Sequence, residues 1–169
     1  MKSSFTYLAL LFLFCSFNSV SATSENEKAK VNLVLDTWHK AAAETKFDTY
    51  FNLMTNDAIF IGTDATENWN KTQFQAFAKP FFDRGKAWSF TAVERHIYFD
   101  KSGKTAWFDE LLNTQMKICR GSGVLIKVGT NWKIQHYVLS MTVPNDNVTE
   151  VVKIKTPIEN ALLEKLSVN

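Results

Sequence analysis

Residues 86–143 read KAWSFTAVERHIYFDKSGKTAWFDELLNTQMKICRGSGVLIKVGTNWKIQHYVLSMTV. Apolar residues here recur with a period of two, the mark of a strand with two unlike faces. Trp88, Phe90 and Ala92 share one face; Val93, Ile97 and Phe99 take up the other parity. The change of parity places a bulge near Ala92–Glu94, which would bend a long strand. Asp100-Lys101-Ser102-Gly103 is a hairpin turn. Further strands are expected over Thr105–Leu112, Ile118–Val128 and, beyond Gly129-Thr130-Asn131, Trp132–Val143. Pro144-Asn145-Asp146 ends this regular run.

Upstream the period is helical. Ser24-Glu25-Asn26-Glu27 has capping-box spacing. The stripe Val31, Val34, Leu35, Trp38, Ala41, Ala42 follows in steps of three and four. Phe47, Tyr50, Phe51 and Met54 predict a short second helix, and Asp57 to Thr63 a brief strand. Asn70 is placed to cap a third helix whose inner face is Phe74, Phe77, Ala78 and Phe81, with Pro80 bending or ending it. Helices followed by antiparallel strands make an α+β fold. The architecture expected is N-terminal helices packed on a strongly curved antiparallel sheet forming a cone, open at one end. After Asn147 a tail is broken at Thr156-Pro157 and turns helix-like from Ile158 to Leu166.

Composition narrows the class. The chain has 169 residues, 46% hydrophobic and 21% charged, with a formal net charge of +2. One domain with a hydrophobic core is expected. The near-neutral balance speaks against a general nucleic-acid binder, which needs a basic face. Two cysteines do not build a disulfide scaffold. Met1-Lys2, the apolar run Phe5 to Phe17 and the small residues Val20-Ser21-Ala22 read as a secretory signal peptide over 1–22. The domains expected are therefore that signal, a cone domain over 23–146 and a C-terminal extension over 147–169. The exported chain is expected to be secreted or periplasmic, with no membrane span once the signal is cleaved. Removal of Cys15 leaves Cys119 alone, expected to be buried.

Phe60-Ile61-Gly62-Thr63-Asp64 with Glu67 and Trp69, then Ala106-Trp107-Phe108-Asp109-Glu110, Cys119-Arg120-Gly121-Ser122-Gly123-Val124-Leu125 and Trp132 through Ser140 come in this order. Set in that order, they resemble the nuclear transport factor 2-like superfamily, and within it the SnoaL-like branch. The resemblance implies the cystatin-like barrel-sheet, a deep cone pocket and frequent homodimers. It implies no single activity, since such folds host isomerases, cyclases, dehydratases, hydrolases and association modules.

Several groups could carry chemistry. His136 is expected to share a strand face with Trp132, Ile134, Val138 and Ser140. It would act as general acid or base inside the cone, or be a satisfied core histidine. If Leu112 lies opposite Ile118, Glu110 faces Arg120; a slip of one residue puts Asp109 there instead. That pair would clamp a ligand carboxylate, hold a catalytic acid, or be structural. Asp64, at a strand end before Glu67 and Trp69, could serve as base at the pocket mouth, or be turn chemistry. Trp38, Trp69 and Trp107 are candidate pocket walls, or core. His39, His96 and His136 are scattered, and no metal or cofactor motif is read.

The functional expectation is binding of a small apolar or carboxylate-bearing molecule. An extension adds cofactor-independent proton transfer of the isomerase, cyclase or dehydratase kind. The alternative is a non-catalytic association or dimerisation module whose pocket is filled by side chains.

Overall fold

Six strands form one curved, unclosed sheet in the order β2-β1-β6-β5-β4-β3. The structure is a computed structural model that describes residues 25–168. The expected signal segment and Ser24 lie outside the described residues. Helix α1 spans 25–43. There follow α2 (Phe47–Asn52), β1 (Met54–Ile61), β2 (Asn68–Asn70), α3 (Lys71–Asp83), β3 (Thr91–Phe99), β4 (Thr105–Thr114), β5 (Lys117–Val128), β6 (Asn131–Met141), a single 3-10 turn (Asn145–Asn147) and α4 (Val148–Ser167).

The strands β3 to β6 are consecutive antiparallel neighbours. Strand β1 returns to pair parallel with β6. The register of β3 against β4 shifts between Ala92 and Glu94, where the change of parity predicted a bulge. A second shift lies in β6, where Val124 faces His136 but Leu125 faces Ile134, so Gln135 is the extra residue. These irregularities deepen the twist of the sheet and wrap it around the helices.

The cone is filled. Val31, Leu35, Trp38, Ala41 and Ala42 of α1 are buried, as their spacing predicts. They meet Tyr50 and Phe51 of α2, Phe74, Ala78 and Phe82 of α3, and Phe108, Leu112, Leu125, Ile134 and Tyr137 of the sheet. Each fully buried side chain such as Leu35, Phe51 or Phe74 stabilises the fold by about 1.5–3 kcal/mol. Cys119 is buried.

Several local readings are corrected. Met54 belongs to β1 rather than to the preceding helix, because Leu53 closes α2. In α3 the buried face ends at Phe82, while Phe77 is exposed. Asn70 caps this helix with a complete capping box to Gln73, and Pro80 leaves it unbroken to Asp83. Likewise Pro157 sits inside a continuous α4, where the tail was expected to break. Glu27 accepts the Trp132 indole N–H at 2.8 Å and pairs with Lys127 at 2.7 Å; Ser24, the other half of its expected capping box, lies outside the described residues. Glu27 thereby pins α1 to the β5–β6 hairpin.

Candidate functional site

A polar stripe runs along α1 beside its apolar one. Asn32, Asp36 and His39 are spaced four and three apart and so lie on one side of the helix. They face a single point on the sheet, where Arg95 and Glu110 stand opposite each other on β3 and β4. Glu110 is fully buried. Its Oε1 lies 2.8 Å from His39 Nε2 and accepts the Tyr137 hydroxyl at 3.2 Å. Its Oε2 accepts from Arg95 Nε at 2.9 Å. Arg95 Nη2 lies 2.8 Å from the same oxygen at ion-pair distance, without a hydrogen bond of its own among the described residues. Arg95 Nη1 then donates to Asn32 Oδ1 at 3.0 Å and Asp36 Oδ1 at 2.8 Å.

Burial pushes the Glu110 carboxyl up, but the hydrogen bond and charge of His39 and the Arg95 guanidinium outweigh it, leaving the group below its ordinary value. An ionised Glu110 can only accept, so His39 carries its proton on Nε2. Burial, reinforced by the Glu110 charge, raises the Tyr137 hydroxyl well above its ordinary value. Room for this cluster comes from Gly121, directly across β5 from Glu110. A Cβ there would stand 2.3 Å from the Tyr137 hydroxyl and 2.9 Å from Glu110 Oε1.

Toward the mouth of the cone lies a cavity of about 160 Å³. Its walls are Phe60, Trp69, Phe74, Phe77, Trp88 and Phe90, with Leu139 and Met116. The rings share an orientation: Trp69 and Phe74 are 7° from parallel, Phe60 and Phe74 14°, Phe74 and Trp88 19°. Phe60 also stacks on Tyr137 at 5.7 Å and Phe90 packs edge-on to His39 at 6.1 Å. One layer of rings therefore separates cavity from buried cluster. Larger grooves, of about 370 Å³ beside α1 and about 470 Å³ under α4, lie outside the cone.

The residues singled out from sequence fall in different places. Glu110 is in the buried cluster and Trp69 lines the cavity. Trp38 is core, stacked on Tyr50 at 4.7 Å, and its indole N–H has no hydrogen-bond partner among the described residues. His136 does not share a face with Trp132 and Ile134: the extra residue Gln135 flips the strand, so Tyr137 points inward and His136 outward with Val138. Arg120 is exposed on the outer face, opposite Leu111 and Ser140. Neither expected register holds, because Leu112 pairs with Cys119. Asp109 also faces outward, 3.1 Å from His96 Nδ1. Trp107 lies outside as well, stacked on Tyr98. Asp64 is exposed in its turn; the hydroxyl and backbone N–H of Thr66 hold its carboxyl below the usual range.

His39, Arg95 and Tyr137 were not singled out. Two signals could have found the first two. His39 is four residues after Leu35 on the inward side of α1. Arg95 shares the parity of Ile97 and Phe99, a charge on an apolar face.

Residues 31–144 match the family model described as a SnoaL-like domain. No curated protein matches the sequence. Among solved structures, the chain is similar to an NTF2-like-family protein from Streptomyces avermitilis (13% identity, 72% of this chain and 99% of that one, TM-score 0.62). It is similar to the association domain of C. elegans CaMKII (17%, 70% and 98%, TM-score 0.59). A third similarity is to a cystatin-like-fold protein from Nostoc punctiforme (8%, 68% and 90%, TM-score 0.56). At these identities the likeness shows the fold.

Proposed function

The chain belongs to the SnoaL-like domain family, and from that premise we propose that it binds a small, flat, largely apolar molecule in the mouth of its cone. The observation that carries this reading is the cavity of about 160 Å³ walled by near-parallel aromatic rings. An apolar cavity of ~150 Å³ holds a benzene, whereas drug-sized ligands need ~300 Å³ or more. The occupant is therefore a single-ring compound. The reading stops at binding. Glu110 is sealed behind the ring layer and held ionised, His136 and Arg120 face outward, and Asp64 is engaged by Thr66. Titration of the purified chain with toluene and with naphthalene, followed by tryptophan fluorescence, tests it. Saturable quenching by toluene and none by naphthalene is expected; no response to either overturns it.

A second reading is favoured by the outer sheet face. Tyr98 and Trp107 are about half exposed there and stacked at 5.9 Å, and Val93 and Ile118 are exposed toward the other end of the neighbouring strands. Large exposed apolar groups gathered on one face mark association surfaces. We infer a homodimer through this face. Light scattering of the purified chain should give twice the monomer mass, and Trp107→Glu should halve it; a monomeric wild type rules it out.

Export also belongs to this proposal and rests on the sequence of residues 1–22. Sequencing the mature N-terminus should find Thr23; a retained Met1 contradicts export by cleavage.

A further inference from the structure

The cavity has one charged wall. Glu67 lines it, together with the polar Gln115 and Thr63, and among the described residues no lysine, arginine or histidine does. The chain is built to bring this carboxylate in. A Cβ on Gly62 would stand 2.0 Å from Glu67 Oε2, so only glycine leaves room for it. The backbone N–H of Gly62 donates to the Glu67 carbonyl at 3.0 Å, and the Asp64 N–H donates to Oε2 at 3.2 Å. These bonds fix the carboxylate at the cavity wall. Among the described residues no cation lies within ion-pair distance of Glu67.

Resting on the binding reading above, we propose that the mouth cavity selects a single-ring organic ammonium, its ring lying parallel to Trp69 and Phe74 and its cation meeting Glu67. Two physical effects favour a cation there. Aromatic rings carry a negative quadrupole that attracts ammonium groups. A carboxylate at a partly desolvated wall is stabilised by a positive partner and repels an anion. A neutral ring would gain only apolar burial, and a carboxylate-bearing ring would face Glu67 with like charge.

The test is a set of three probes that share a ring and differ in charge: benzylammonium, benzyl alcohol and benzoate, titrated into the full purified chain at neutral pH. Benzylammonium should bind roughly tenfold more tightly than benzyl alcohol, with benzoate weakest. Glu67→Gln should bring benzylammonium and benzyl alcohol to equal affinity. The probe series on the unsubstituted chain decides the matter even where that variant fails to fold. Benzyl alcohol binding as tightly as benzylammonium overturns the charge preference and leaves the single-ring cavity standing. Saturable binding by none of the three overturns both.

Discussion

Arg95 and Glu110 face each other across β3 and β4 and are joined by Nε to Oε2 at 2.9 Å, inside a sheet face lined mostly by apolar side chains. The bulge between Ala92 and Glu94 is what turns Arg95 inward. The stripe of Asn32, Asp36 and His39 on α1 closes over the pair, so one carboxylate ties the first helix to the two outermost long strands. A buried charge of this kind is tolerated only when its partners are all in place.

Removing one partner should therefore be costly. Glu110→Gln leaves the buried Arg95 with only the exposed Asp36 as counter-charge, and unfolding stability should fall by about 3–5 kcal/mol. Urea denaturation checks it. A loss below about 1 kcal/mol, the range of an exposed pair, would show that the cluster is open to water.

Acid should loosen both this cluster and the Glu27 anchor between α1 and the β5–β6 hairpin. Glu110 in the folded chain lies below its ordinary value of 4.5, and Glu27 is lowered to about 2, chiefly by its bond to Lys127 and then by Lys30 and Trp132. The unfolded chain thus takes up these protons first. The stability they contribute is complete above about 4.5 and is lost as pH falls through the folded values. Melting temperature measured from pH 7 to pH 3 should be flat and then drop below pH 4.5, and Glu27→Gln should make the drop shallower. An unchanged profile in that variant contradicts the role given to Glu27.

Gly121 is the space in which the Tyr137 hydroxyl and Glu110 meet. Gly121→Ala should destabilise by about 1–3 kcal/mol, the cost of overpacking a filled core. Thermal or urea unfolding reads this directly; a neutral substitution would mean that the cluster sits further from β5.

Much of the fold was legible because its signals are local. Periodicity located all four long strands and three N-terminal helices, and the change of parity after Ala92 located a bulge. The pairing of β1 beside β6 was not legible, since a parallel neighbour leaves no turn in the sequence. The site was harder for one reason. Gln135 inserts a residue into β6 without any change in apolar character around it, so Trp132 and Ile134 imply an inward His136 when the inward residue is Tyr137. A one-residue error in register exchanges the two faces of a strand, and a one-residue difference in the β4–β5 register sets Arg120 opposite Leu111 on the outer face rather than opposite Glu110. Glu110 remained because either reading of β4 keeps it beside Phe108 and Leu112 on alternate positions.

His136 gives a direct check on that geometry. Since it points away from the cavity, His136→Ala should leave single-ring binding unchanged within twofold, by the same fluorescence titration. A loss of binding would return the imidazole to the interior.

The most direct test of the account is a two-dimensional amide and indole NMR spectrum of the purified chain during titration with benzyl alcohol. The account predicts saturable shifts of the Trp69 and Trp88 indole signals, with the Trp107 signal unmoved. Shifts confined to Trp107, or none at the two cavity tryptophans, would contradict it.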